Sequence, residues 1–258
     1  ILSIHSNVKF LIFKSNTNIF FAALFSALMT DVRVIGIFLI FITFFFLFFH
    51  SDKLNIKEKL LIFFKYLFIY TVTLFIFWPF LWENSFSNLL DALSEFKNYP
   101  WNGDVLYFGE FIKAKFVPWH YFFVWFFITT PLIFFIIIFC GFLLSGKILI
   151  NNLINVEKNK NANLWNNQYE MIIIYIFSIF FIPLFAIIFF DSTLYTGWRQ
   201  LYFLYPPLII LGLHFLILLK KSFYNFFKII LILLVLQLSF TSFFLIKNHP
   251  HQYVYFNG

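Results

Sequence analysis

The 258-residue chain predicts an all-α fold, a polytopic transmembrane helical bundle with a short amphipathic helix in a long outer loop. Three observations predict it. Hydrophobic residues make up 62% of the chain and charged residues 11%, with a mean hydropathy of +0.89, whereas soluble domains are about one quarter charged. Apolar runs approach or reach the length of about 20 residues that a hydrocarbon core of ~30 Å demands of a helix. Finally, the basic residues alternate in density from loop to loop. The length suits one compact bundle, so residues 1–258 are read as a single transmembrane domain with no separate soluble domain. The 46 Phe are a compositional bias to which no function is attached.

In chain order, Ile19–Met29 is apolar but too short to cross unaided, and Thr30-Asp31-Val32-Arg33 follows it. Those charges are costly in lipid unless paired or facing a cavity. The segment reads either as a half-helix hairpin or as one broken helix running on to Phe49. Six spans are expected after that point: Ile35–Phe49, Leu60–Leu81, Tyr121–Leu144, Met171–Phe190, Leu201–Leu219 and Ile229–Ile246. The loops at 50–65, 146–168 and 220–228 carry Lys53, Lys57, Lys59, Lys65, Lys147, Lys158, Lys160, Lys220, Lys221 and Lys228. The alternate loops at 83–118, 191–199 and 247–258 carry only Lys97, Lys113, Lys115, Arg199 and Lys247. The lysine-rich set is therefore expected in the cytoplasm. This topology also accounts for the formal charge of +7 without a phosphate-binding face, so no nucleic-acid partner is expected.

The cytoplasmic loops read as plain, with Asn159-Lys160-Asn161-Ala162-Asn163 a low-complexity linker. The outer loops are dense in Trp, Tyr, Pro, His and acids, which makes the outer face the expected working face. In loop 83–118, Phe86, Leu89, Leu90, Leu93 and Phe96 recur at helical spacing from Ser85, opposite Asp91, Ser94, Glu95 and Lys97. Asn84 or Ser85 is placed to cap that helix. It reads either as a surface-lying amphipathic helix or as a helix packed on the bundle. Tyr99-Pro100-Trp101-Asn102-Gly103-Asp104 then reads as turn-rich.

Three outer clusters could carry chemistry: Trp78–Asn84, Val117–Tyr121 with Thr129-Thr130-Pro131 deeper, and Tyr195–Tyr202 leading to Tyr205-Pro206-Pro207. For each aromatic residue taken singly, anchoring at the membrane interface is the first reading. Pro206-Pro207 likewise reads first as a kink within a span. Arg199 stands apart as the single Arg in the second half of a lysine-rich chain, at the outer mouth of a span. Its planar fork matches phosphate oxygens bidentately, as Lys cannot. Structural pairing with Asp191, eight residues upstream, is the alternative. Cys140 is the only cysteine and lies in an apolar run, so no disulfide framework or thiolate metal site is expected. No metal-ligand spacing of His and carboxylates is present. The outer acids Glu83, Asp104, Glu110 and Asp191 leave a base or a divalent-cation contact open without singling out one residue.

These segments carry a resemblance. Pro118-Trp119-His120-Tyr121, running into a span that reaches Thr129-Thr130-Pro131, resembles the Pro-Trp-Tyr/His-Tyr stretch of GT-C glycosyltransferases of the protein-mannosyltransferase and aminoarabinose-transferase kind. Arg199 to Pro207 looks like the basic segment of those enzymes that leads into Tyr and spaced prolines. Ala22 to Gly36 is similar to their mid-chain stretch of small residues followed by Arg, and His249–Asn257 looks like a tail of bacterial members. The resemblance implies a polyprenyl-phosphate sugar donor, a glycan, lipid or protein acceptor, and inverting transfer at the outer face of a bacterial plasma membrane. Carried over, Arg199 would hold the donor phosphate; Trp119, His120, Tyr121, Glu83 and Tyr202 would line the cavity. The family usually has Tyr where His120 stands. The chain opens on Ile1 without a signal peptide and is expected to be a fragment, with the family's catalytic Asp upstream of it. A transporter or lipid flippase is the rival class, favoured by the Asp31–Arg33 break alone.

Overall fold

The computed structural model describes residues 1–50, 54–97, 99, 101–159, 164–195, 197–250 and 256. Ten α-helices and one β-hairpin form among them. In order these are α1 (Leu2–Phe13), α2 (Asn16–Val32), α3 (Ile37–Phe49), α4 (Ile56–Phe77), α5 (Ser85–Lys97), β1 (Asp104–Tyr107), β2 (Glu110–Lys113), α6 (Tyr121–Thr129), α7 (Leu132–Asn159), α8 (Gln168–Phe189), α9 (Tyr205–Ser222) and α10 (Tyr224–Lys247). Five segments are long and apolar enough to cross a bilayer: Ile56–Phe77, Leu132–Asn155, Gln168–Phe189, Arg199–Ser222 and Tyr224–Lys247. The chain is an all-α bundle of membrane-spanning helices, as the composition requires.

Two compact units make up the fold, Ile1–Asn102 with Leu149–Thr193, and Gly103–Ile148 with Leu194–Gly258. In the first unit α2 packs against α1 and α4, and α3 packs against α8. Local chemistry sets several starts. The Ser15 hydroxyl accepts from Asn18 N–H at the head of α2. Asn55 and Glu58 exchange reciprocal side-chain-to-backbone bonds of 3.0 Å at the head of α4. The Asn167 carboxamide accepts from Glu170 N–H at the head of α8. Between α2 and α3 the chain breaks at Arg33, whose backbone is extended, and a short 3-10 turn follows over Val34–Gly36. Ile19–Phe49 is thus two helices and not one.

The centre of this unit is polar. Asn7, Ser26, Thr43, Tyr66 and Tyr175 are fully buried, on α1, α2, α3, α4 and α8. The Asn7 Nδ2 donates to Ser3 O and to Ser26 Oγ, both at 2.8 Å. The Tyr66 hydroxyl lies 3.0 Å from Asn7 Oδ1 and 2.8 Å from Ser26 Oγ. Thr43 Oγ1 lies 2.8 Å from the Tyr175 hydroxyl. One hydrogen-bonded cluster therefore ties five helices together, where an unpaired polar group would cost about 1–3 kcal/mol. Helix α1 was not foreseen as an element; Ser3, Asn7 and Phe10 at helical spacing are its buried face.

In the second unit α7 and α9 cross at small residues. A Cβ on Gly141 would stand 2.0 Å from the Leu211 carbonyl oxygen, so only glycine permits this approach. One turn on, buried Ser145 donates to Gly141 O at 2.8 Å and lies 3.3 Å from His214 Nδ1. None of the residues of α10 is buried.

Four expectations are corrected. The Tyr121–Leu144 run is not one helix: Pro131 offers no N–H, Thr130 before it is extended, and α6 ends at Thr129. Pro206-Pro207 does not interrupt a helix but stands in the first turn of α9, where a missing N–H costs nothing, at the 3-10-to-α junction inside the Arg199–Ser222 segment. The Ile35–Phe49 run is a 16-residue helical stretch, Val34–Phe49, below the length of the five crossing segments. The loop expected at 220–228 is a single break at Phe223, with Lys220 and Lys221 in the last turn of α9 and Lys228 inside α10. Basic side chains there complement the negative end of the α9 dipole. Of the predicted linker Asn159–Asn163, Asn159 is the last residue of α7 and Lys160–Asn163 lie outside the described residues, as do His251–Tyr255 and Asn257 of the bacterial-type tail, Pro100 and Thr196.

Candidate functional site

The second unit gathers most of the outer residues singled out by sequence. Phe108 and Gly109 both have positive φ, the geometry of a tight two-residue turn, and they join β1 to β2 with Val105 opposite Ile112 and Leu106 opposite Phe111. Val105 and Tyr107 face inward and are buried. The Tyr107 hydroxyl lies 2.6 Å from His120 Nδ1, which ties the hairpin to the residue that starts α6. Burial raises the Tyr107 pKa, so its hydroxyl keeps its proton. The hairpin was not legible in the turn-rich reading of Tyr99–Asp104.

Helix α6 carries the next layer. Its Tyr121 ring packs 5.2 Å from Tyr107 and 6.1 Å from Trp125, one turn on. Gly197, at φ 62, brings the following segment flat against Trp125, since a Cβ there would stand 3.4 Å from the indole. Trp198 then packs edge-on between Phe122 and Phe126, at 5.8 and 5.5 Å. Its indole N–H donates to Thr129 Oγ1 at 2.8 Å, the hydroxyl at the end of α6. These contacts seat the 3-10 turn Arg199–Leu204, which leads into α9. Arg199 is exposed on that turn, and Tyr202 is exposed beside it with its ring 4.8 Å from Trp198.

The structure therefore places Trp119, His120, Tyr121, Arg199 and Tyr202 in one unit, with Trp119 exposed, His120 half-buried and Tyr121 buried. Glu83 and Asp191 belong to the other unit, and both are exposed. Two donors here were not foreseen. The Tyr121 hydroxyl and the Trp125 indole nitrogen are buried beside the Gly197 backbone, and neither reaches full hydrogen-bond geometry with a partner among the described residues. Buried polar groups in that condition call for an explanation. Sequence gave no signal for Trp125, one apolar-looking residue in an aromatic run.

Within the first unit, α5 spans Ser85–Lys97 as its periodicity predicts and packs on the Val34–Gly36 and Pro79–Leu81 turns. Phe86 and Leu90 remain exposed along it. Ser85 does not cap; its hydroxyl turns back to the Leu81 carbonyl. The lysine-rich side is less plain than its composition suggested. Trp165 is buried and stacks on Phe46 at 4.9 Å, its N–H donating to His50 Nδ1 at 3.0 Å, while Glu170 accepts from Asn152 and Asn166.

Among the described residues no three His, Cys, Asp or Glu side chains converge to hold a metal ion. With five crossing helices, the chain is a multi-span α-helical membrane protein. No protein-family model, curated protein or solved structure matches it.

Proposed function

We propose that this chain works in a membrane glycosyltransferase of the GT-C kind, taking sugar from a polyprenyl-phosphate-linked donor at the outer face of a bacterial plasma membrane. The observation that carries the reading is the pairing of two features in one unit. Arg199 stands exposed on a turn braced by Trp198, while the Tyr121 hydroxyl and Trp125 N–H are donors without full partners in the layer beneath. Cation and donors alike suit a ligand rich in oxygen acceptors, such as a sugar phosphate. Departure of the sugar leaves charge on the phosphate oxygens, and a fixed guanidinium at a membrane boundary stabilises that charge. Trp119, His120 and Tyr202 would line the rim, and the acceptor would be a glycan, lipid or protein. The proposal assigns no catalytic base to this chain.

The test is sugar transfer by the protein in membranes supplied with a polyprenyl-phosphate sugar. Arg199→Lys keeps the charge but loses the bidentate fork, and is expected to lower transfer at least ten-fold; Arg199→Ala should abolish it. Tyr121→Phe separates function from packing. The hydroxyl's contacts with the Gly197 backbone and Trp125 fall short of full hydrogen-bond geometry, so losing it should cost the fold less than about 1 kcal/mol, yet the loss should reduce transfer if that donor meets the substrate. Transfer within two-fold of the parent in all three variants would refute the reading. A transport or lipid-moving role draws on one observation, the half-buried Arg33 in the extended break between α2 and α3. Loss of substrate movement in Arg33→Gln, with transfer undetectable in the parent, would favour it.

A further inference from the structure

The hairpin poses a question that donor binding leaves unanswered. A hairpin with one face on a protein core normally turns polar residues outward. Here the outward face carries two large apolar residues beside the Asp104–Lys113 pair: Leu106 is 56% exposed and its cross-strand partner Phe111 76%. Phe108 at the turn is 76% exposed, and Phe116 and Trp119, between the hairpin and α6, are 73% and 67% exposed. Five large apolar side chains in one short outer segment are the kind of patch that soluble surfaces avoid. Charge gives no alternative account, since Asp104 stands opposite Lys113, and Glu110 and Lys115 balance.

We propose that the Asp104–Lys113 hairpin is a membrane-interface anchor, its Leu106–Phe111 face and Phe108 tip seated in the headgroup layer of the bilayer that the protein spans. Continuity with the lipid-facing surface supports that occupant. The Tyr107–His120 bond holds the hairpin at the start of α6, whose sequence is apolar throughout, and Trp119 sits at that junction as interfacial tryptophans do. The balanced charge means that apolar area, and not anionic lipid, drives the seating. An anchor of this kind fixes the height of the Trp119–Tyr121 segment relative to the bilayer.

Because Cys140 is the only cysteine, the test needs one background substitution, Cys140→Ser, in the whole chain reconstituted in phosphatidylcholine vesicles. A nitroxide on Phe108→Cys should relax several-fold more with oxygen, which concentrates in lipid, than with a water-soluble nickel chelate. A nitroxide on Asp104→Cys, at the base of the hairpin, should show the reverse. Phe111→Cys is the second reporter should the turn variant fail to fold. Equal nickel accessibility at positions 104, 108 and 111 would overturn the anchor. So would spin–spin broadening at 108 that vanishes on dilution with unlabelled protein, since that places a second copy on the patch. Neither readout involves sugar transfer, so the result stands apart from the donor-phosphate reading.

Discussion

Gly141→Ala is expected to loosen the second unit although it adds a single methyl group. The ideal Cβ position lies 2.0 Å from Leu211 O, 2.4 Å from Leu211 C and 2.9 Å from Gly212 N. All three are backbone atoms of the facing helix, so no side-chain rotation can relieve the clash. Reaching an ordinary contact of 3.4 Å requires the crossing to open locally by about 1.4 Å. A gap of about 0.5–1 Å already forfeits a quarter to a half of each dispersion contact across it. Overpacking with backbone displacement costs about 1–3 kcal/mol or more, against roughly 1 kcal/mol gained from the better helix propensity of Ala. The net expectation is about 2 kcal/mol of destabilisation. Gly212→Ala is the matched control on the other side of the same crossing. Its Cβ meets the side-chain atoms Ile137 Cγ2 and Ile138 Cγ1 at 3.3 Å, which yield by a few tenths of an ångström. That variant should match the parent to within about 0.5 kcal/mol. Half-buried Cys140 supplies the assay: its modification by a thiol-reactive dye in detergent micelles, followed with temperature, reports opening of the unit. The Gly141→Ala midpoint should fall by several degrees and the Gly212→Ala midpoint should not. Equal midpoints for the two variants would refute the claim that this crossing is limited by backbone contact.

Asn7→Ala should cost about 2 kcal/mol by leaving Ser26 and Tyr66 short of partners. Combining it with Tyr66→Phe should cost less than the two single changes together, and strict additivity in thermal unfolding would show that the pair does not act as a unit. Tyr107→Phe removes the bond to His120 and should free the hairpin by about 1 kcal/mol, seen as a roughly five-fold faster tryptic cut at Lys113 or Lys115. Because burial raises the Tyr107 pKa, the donating form persists up to and beyond its usual titration range and is lost only at more alkaline pH. The protection of the parent should therefore be flat between pH 7 and 9, and a steady loss across that window would contradict a Tyr107 hydroxyl that burial keeps protonated.

What sequence could and could not show follows the physics of each element. α5 was legible to the residue, because one helical period with polar residues opposite leaves no competing pattern. The cores of α4, α8 and α10 were legible from apolar length alone, and their ends were not. Ends depend on local chemistry that hydropathy averages away, such as the Asn55–Glu58 capping box or the break at Phe223. Pro131 and Pro206 show why proline needs its position as well as its identity. The same ring divides α6 from α7 in one place and starts α9 in the other. The hairpin was hidden because Leu106 and Phe111 put large apolar side chains on the outward face while Glu110 falls opposite inward-facing Tyr107, so the strands lack the alternation that marks a half-buried strand. Arg199 was legible as an oddity of composition and Trp198 as part of the Tyr195–Tyr202 cluster, whereas Trp125, against which Gly197 packs, was lost in an aromatic run.

The two units differ in a way that bears on where a substrate would go. The polar centre of the first unit is closed upon itself: Asn7 uses both amide protons and its carbonyl oxygen on Ser3, Ser26 and Tyr66, and Thr43 and Tyr175 meet each other. Such a cluster holds helices together, and recruiting it to bind a ligand would mean breaking bonds worth about 1 kcal/mol each. The aromatic layer of the second unit is arranged the other way. Its rings are packed and the Trp198 N–H is matched by Thr129, while the Tyr121 hydroxyl and Trp125 indole N–H fall short of full hydrogen-bond geometry and Arg199 is turned outward. On the proposed reading, that contrast makes the Arg199 turn, and not the buried polar cluster, the place to test for ligand binding. It also makes Tyr121→Phe informative when transfer and thermal stability are read together, because the hydroxyl's contacts with the Gly197 backbone and Trp125 fall short of full geometry.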